Sequence, residues 1–156
     1  MIVAIGTADF LPRVIQQSRM ITAVNQFVSA LHLARSEAIK HGRQVILCPS
    51  NDQANCGNSS HWPDGWLLFA SDNRQRDPGE PLLQAGAAMG TGIRMKSGNS
   101  RKRIAYQSDG SSPGTNTSFT FCEQHNRTRP RVICLSNTGR PRLSSVRCDG
   151  SPIVCP

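Results

Sequence analysis

Pro12–Gly42, PRVIQQSRMITAVNQFVSALHLARSEAIKHG, is the stretch on which the fold turns. Apolar residues fall at Ile21, Val24, Val28, Leu31, Ala34 and Ala38, in steps of three and four. That spacing keeps one stripe of a helix facing inward. Phe27, Leu33 and Ile39 widen the stripe, while Arg19, Asn25, Gln26, Arg35 and Lys40 fall mostly off it. Pro12 suits the first turn, where its missing N–H is no loss. Gly42 is placed as a stop, with Lys40, His41 and Arg43 near the negative end of the helix dipole. At about 1.5 Å per residue such a helix runs on the order of 44 Å. The runs that follow are short and β-type, so the helix reads as a spine against which a sheet wraps.

The 156 residues suit one domain. An apolar content of 37% and an aromatic content of 5%, with 13 glycines and 10 prolines, imply a modest core and many turns. Six cysteines are available to reinforce it: Cys48, Cys56, Cys122, Cys134, Cys148 and Cys155. An even number in a small, loop-rich chain points to disulfides and an oxidising compartment. Zinc is less well supported, because there is no C-x-x-C knuckle and no histidine at ligand spacing from a cysteine pair. Fifteen disulfide pairings are formally open.

Charge is distributed unevenly. Met1–Ile93 holds 7 Lys+Arg against 7 Asp+Glu, and Arg94–Pro156 holds 11 against 3, so the whole net charge of +8 lies in the second part. A one-sided excess of this kind suggests a polyanion-binding face. No run reaches the about 20 apolar residues that a membrane helix takes. MIVAIG at the start is apolar but short, and it lacks the charged n-region and cleavage site of a signal peptide. A disulfide-forming chain needs export. The expectation is therefore that the sequence begins inside a longer apolar helix carrying export and anchoring.

Beyond the helix, Gln44–Cys48 reads as a strand, Pro49–Asp64 as a polar loop and Gly65–Ala70 as a second strand. Ser71–Gly79 is loop with an Asp-Pro-Gly turn, and Glu80–Leu83 adds a short strand. Ile93–Lys96 and Arg103–Gln107 are expected to form a hairpin through SGNSRK. Ser108–Asn116 is loop, and Thr117–Cys122 with Arg131–Ser136 forms a second hairpin with a polar tip. In that hairpin Phe119, Phe121, Ile133 and Leu135 alternate onto one face, the natural cover for the helix. Cys122 and Cys134 share the other face. Locality and alternation favour the pairs Cys48–Cys56, Cys122–Cys134 and Cys148–Cys155. One long helix followed by antiparallel strands is an α+β pattern.

Little of the sequence supports catalysis, and no cofactor is expected. Gly110-Ser111-Ser112-Pro113-Gly114 matches G-x-S-x-G, but the elbow needs the N–H of the residue after the serine, and here that is Pro113. His32, His41, His61 and His125 are dispersed. No phosphate-binding loop, dinucleotide fingerprint or metal-ligand cluster is present.

The basic residues are more informative. Arg101, Lys102 and Arg103 sit between two strands, while Arg127, Arg129 and Arg131 alternate into the last hairpin strand. Arg140 and Arg142 alternate in Gly139-Arg140-Pro141-Arg142, and Arg147 follows. Two strand residues span roughly 6.6 Å, so both guanidinium forks can engage neighbouring phosphates. Gly139 permits a sharp turn before them, and Pro141 suits an edge or exposed strand. Tyr106 is the one aromatic outside the expected core, which argues for backbone rather than base recognition.

The ordered segments ARSEAIKHG (Ala34–Gly42), VILCPS (Val45–Ser50), GWLLF (Gly65–Phe69) and SNTGRPR (Ser136–Arg142) resemble the type IV minor pilins and pseudopilins of the GspH/FimT family. The resemblance covers about Met1 to Leu143. It implies a single pilin-like domain with a spine at about 10–41, a β-rich part at 44–143 and a disulfide-closed tail at 144–156. The spine would have lost its membrane half, and with it the processed, methylated N-terminus. The resemblance also implies residence in the bacterial inner membrane, periplasm and pilus, and contact with other pilin subunits through the helix. FimT-like members carry G-R-x-R near the C-terminus, associated with non-specific DNA binding in natural transformation. Here it falls on Gly139, Arg140 and Arg142, with Arg101, Lys102, Arg103, Arg129, Arg131 and Arg147 in support. The alternative is a structural subunit that primes assembly of a pilus or a type II secretion pseudopilus without binding DNA.

Overall fold

The computed structural model describes residues 10–71 and 82–155. Helix α1 spans Phe10–His41 and is followed by β1 (Gln44–Pro49), β2 (Trp66–Ser71), β3 (Leu82–Gly86) and β4 (Ile93–Ser97). A short 3-10 turn at Gly98–Ser100 leads to β5 (Ile104–Tyr106), β6 (Thr117–Glu123), β7 (Arg131–Leu135) and β8 (Pro141–Ser144). The strands form two antiparallel sheets, ordered β3-β2-β1-β5 and β4-β6-β7-β8. The α+β class and the helical spine are as expected. The apolar stump at residues 1–9 lies outside the described residues, as do Glu80 and Pro81 of the expected third strand. Among the described residues no helix is long and apolar enough to cross a membrane.

With 32 residues, α1 is about 48 Å long at 1.5 Å per residue. Its C-terminus closes as the sequence suggests. Gly42 sits at φ 61°, Gly42 N donates to Ile39 O, and Arg43 N donates to Ala38 O. The buried face is Met20, Ala23, Val24, Phe27, Ala30, Leu31, Ala34 and Ala38. It is rotated from the expected stripe: Ile21 and Ile39 are about half exposed, at 50% and 49%. Ring packing sets the rotation. Phe27 makes edge-on contacts with Trp62, Phe119 and Phe121 at centroid distances of 5.5, 4.7 and 6.1 Å. The alanines on the same face let the sheets approach closely. Trp62, placed by sequence in a polar loop, is fully buried and donates from Nε1 to Ser97 Oγ at 3.3 Å.

The first expected hairpin does not form. β4 pairs with β6 in one sheet, and β5 pairs with β1 in the other. The SGNSRK segment turns, with Asn99 and Ser100 at φ 52° and 51°. Ser97, however, donates its backbone N–H to Ser60 O and its hydroxyl to Arg101 O, tying the turn to the 50–65 loop and sending the chain into the other sheet. The second hairpin forms as expected, with Phe119 opposite Ile133 and Thr117 opposite Leu135. Phe119, Phe121, Ile133 and Leu135 are buried against α1.

Cys48–Cys56 is bonded as expected, whereas the other two pairs exchange partners. Cys122 bonds Cys155 and Cys134 bonds Cys148, with Cα separations of 5.9 and 5.8 Å. The β6–β7 register explains why Cys122–Cys134 cannot form. Cys134 stands opposite Ser118, so Cys122 lies four residues along, about 13 Å away and beyond disulfide reach. Cys148 is then taken, so the small Cys148–Cys155 loop is also excluded. The tail is instead stapled at two points across the outer face of the second sheet.

Gly139 joins the β7–β8 turn to the end of the spine. It sits at φ 82°, and a Cβ there would lie 2.1 Å from Gly110 O. That carbonyl accepts a hydrogen bond from Arg35 Nε at 3.0 Å, and Ser112 N donates to Asn137 O at 2.8 Å.

Peptide mapping under non-reducing conditions is expected to recover Cys122 joined to Cys155 and Cys134 joined to Cys148; a Cys122–Cys134 product would contradict the register. Gly139→Ala meets both an unfavourable φ and the Gly110 backbone. It is expected to lower stability in urea unfolding by about 1–3 kcal/mol, and an unchanged midpoint would show that the contact is not needed.

Candidate nucleic-acid interface

Arg142 lies on β8, the edge strand, opposite Cys134 on the outer face of the second sheet. Arg140 precedes the strand on the same side, and both line a groove of about 570 Å³ with Asn99, Asn116, Ser118 and Ser136. Both arginines are exposed. Among the described residues neither has an ion-pair or side-chain hydrogen-bond partner, and both ion pairs found there involve Glu37. Pro141 sits at the edge, where its missing N–H breaks no ladder bond with a further strand. Gly139 supplies the bend and the anchor at the pole where α1 ends.

The other expected residues divide. Asn99, two residues before Arg101, shares the groove with Arg140 and Arg142. Arg101 is half-buried. Lys102 Nζ donates to Asn58 Oδ1 at 3.0 Å, and Arg103 Nη1 donates to Gly57 O at 2.8 Å and to Lys102 O at 2.9 Å. These two side chains fasten the loop that Cys48–Cys56 closes. Arg129 and Arg131 lie at the other pole. Arg131 stands opposite Phe121, four strand residues or about 13 Å from Leu135, which pairs with Pro141. At that pole the buried Glu123 carboxylate accepts from the backbone N of His125 and of Arg127, at 2.9 and 2.8 Å, and shapes the hairpin tip. The structure therefore does not bring Arg129 and Arg131 to Arg140 and Arg142.

Arg147 belongs to the stapled tail, where its backbone N donates to Ser151 O. It lines a second cavity with Arg94 and Lys96 of β4. Sequence reasoning passed over Arg94 and Lys96. Their signal was the alternation Ile93-Arg94-Met95-Lys96, with Ile93 and Met95 buried. Asp149 is held below the usual carboxylate range by hydrogen bonds from the Ser151 side chain and backbone, with Arg147 adding to the effect.

Ser112 of the G-x-S-x-G match is buried and hydrogen-bonded to Thr115, which leaves it unavailable as a nucleophile. Tyr106 is fully buried, so it is no stacking platform, and that burial pushes its hydroxyl up from its ordinary range, with Arg35 opposing the shift. Among the described residues no group of three or more His, Cys, Asp or Glu side chains is placed to hold a metal.

The family model for the type II transport protein GspH matches residues 23–139. Comparison with curated proteins finds no match. Among solved structures, the type IV minor pilin FimU of Pseudomonas aeruginosa shares 18% identity at a TM-score of 0.67, over 83% of this chain and 90% of that one. A second crystal form of FimU gives 19% identity and a TM-score of 0.62, over 82% and 91% of the two chains. The minor pseudopilin EpsH of Vibrio cholerae gives 12% and 0.56, over 81% of this chain and 96% of that one. At these identities the likeness is one of fold, a long helix on antiparallel sheets. The family match covers more than half of the chain and includes the helix's buried face from Ala23 onward and seven of the eight described strands, so this protein belongs to the GspH family of minor pilins and pseudopilins.

Proposed function

We propose that the protein is a minor type IV pilin that holds DNA non-specifically through backbone phosphates, acting in DNA uptake for natural transformation. The observation that carries this reading is the exposed Arg140/Arg142 pair at the start of an edge strand, with no carboxylate partner among the described residues. At a spacing of about 6.6 Å two guanidinium charges repel by roughly 0.6 kcal/mol in water, and a phosphate between them reverses the sign. The role is one of binding rather than catalysis. The protein would reside in the inner membrane and periplasm and enter the pilus.

A second reading, a structural subunit of a pilus or type II secretion pseudopilus, draws on the other end of α1. Phe10, Leu11, Val14, Ile15 and Ile21 are exposed there. An apolar helix surface of this kind suits packing against helices of other pilin subunits. This contact is compatible with DNA binding, and the two readings part only over the arginines.

Wild type and Arg140→Gln/Arg142→Gln are compared by titration with unrelated DNA sequences at low and moderate salt. The wild type is expected to bind without sequence preference, with log K falling against log salt by about 0.7 to 0.9 per phosphate contact. The folded double variant is expected to lose at least about ten-fold in affinity and about two contacts of slope. Equal binding by both proteins, or none by either at low salt, would leave the assembly reading.

A further inference from the structure

The tail partly roofs the second sheet. Cys122 and Cys134 lie on the outer face and are bonded to Cys155 and Cys148. Between tail and strands is a cavity of about 870 Å³, lined by Arg94 and Lys96 from below and Arg147 from the tail. The one carboxylate in its described lining, Asp149, is already engaged: Oδ1 accepts from Ser151 N at 2.9 Å and Ser151 Oγ at 2.6 Å. This cavity is continuous with the Arg140/Arg142 groove, since Asn99, Ser118 and Cys148 line both.

Strand register gives the length of the path. Arg142 stands opposite Cys134, Cys134 opposite Ser118, Thr120 opposite Lys96, and Cys122 opposite Arg94. From Arg142 to Arg94 the path crosses three strand spacings, about 14 Å, and climbs four residues, about 13 Å. The diagonal is roughly 20 Å, against about 3.4 Å of axis per phosphate in one strand of B-DNA, so several phosphates fit along it. Phe, Tyr and Trp are absent from the described lining, which leaves no platform for reading bases.

We propose that this track takes single-stranded nucleic acid. Its phosphates run from Arg140 and Arg142 past Lys96 to Arg94, and Arg147 closes over them from the tail. The proposal rests on the DNA reading above and adds the strand class. A flexible single strand can follow a path that turns beneath the tail. A duplex, whose major groove alone is about 12 Å wide, meets only the rim, where Arg140 and Arg142 stand.

The test is Lys96→Gln/Arg147→Gln, which alters two exposed side chains and leaves Arg140 and Arg142 intact. Binding of a single-stranded oligonucleotide and of its duplex is followed by fluorescence anisotropy across a salt series, with circular dichroism as the check on folding. Single-strand affinity is expected to fall roughly ten-fold at low salt, with the salt slope shallower by about 1.4, while duplex binding stays unchanged. An unchanged single-strand affinity, or an equal fall for both forms, overturns the track. If Arg140→Gln/Arg142→Gln weakens binding while Lys96→Gln/Arg147→Gln leaves single-strand affinity unchanged, only the track fails. A wild type that binds neither form overturns both proposals.

Discussion

Phe27 is the contact on which the rest of the molecule depends. A chain with 5% aromatic residues has few large rings, and four of them meet in one place. Phe27, Trp62 and Phe119 are mutually edge-on, and Phe121 adds a third ring against Phe27. Aromatic side chains bury about 150–250 Å² each, so this cluster is a large share of a modest core. It also fixes geometry. One helix residue touches β6 and the loop before β2, so the helix cannot roll without breaking both contacts. The alanines around it bring the backbones near, and both sheets take their positions from that face.

The disulfides act beyond the core. Cys48–Cys56 closes the loop that Lys102 and Arg103 also hold. The other two bonds place the tail on the outer face of the second sheet, the face turned away from α1. Alternation along β4, β6, β7 and β8 gives the two faces opposite characters. The inner one is Met95, Phe119, Phe121, Ile133 and Leu135; the outer one carries Lys96, Ser118, Thr120 and Arg142. Within the G-R-x-R motif the division of labour is equally physical. Gly139 is required by a backbone approach that no side chain fits, and the two arginines that follow it are exposed.

Periodicity and turn chemistry made the helix, its glycine stop, β1, β2 and the β6–β7 hairpin legible, because each is decided within a few residues of sequence. What failed was decided at long range. The helix stripe turned because Trp62, hidden in a polar loop, packs on Phe27. β4 and β5 parted because Ser97 is tied to Ser60, and nothing local to SGNSRK shows that bond. Two of the three disulfides differ from expectation because a shared face does not fix register: Cys122 and Cys134 do share a face but stand four residues apart along it. The basic cluster was legible as a charge excess and as the Arg140/Arg142 pair. Its division between two poles was not, since strand direction, rather than composition, sends Arg129 and Arg131 to the far end.

In the proposed role, DNA meets the pole where α1 ends, on the outer face of the second sheet. Amide chemical-shift mapping of the isotope-labelled protein during titration with a short oligonucleotide tests it most directly. The account predicts that the perturbed amides cluster at Arg140–Ser144, at Gly98–Arg101 and at Ser118, and that they return toward their free positions as salt is raised. Perturbations centred on Gln124–Arg131 or on α1, or none at all, would contradict it.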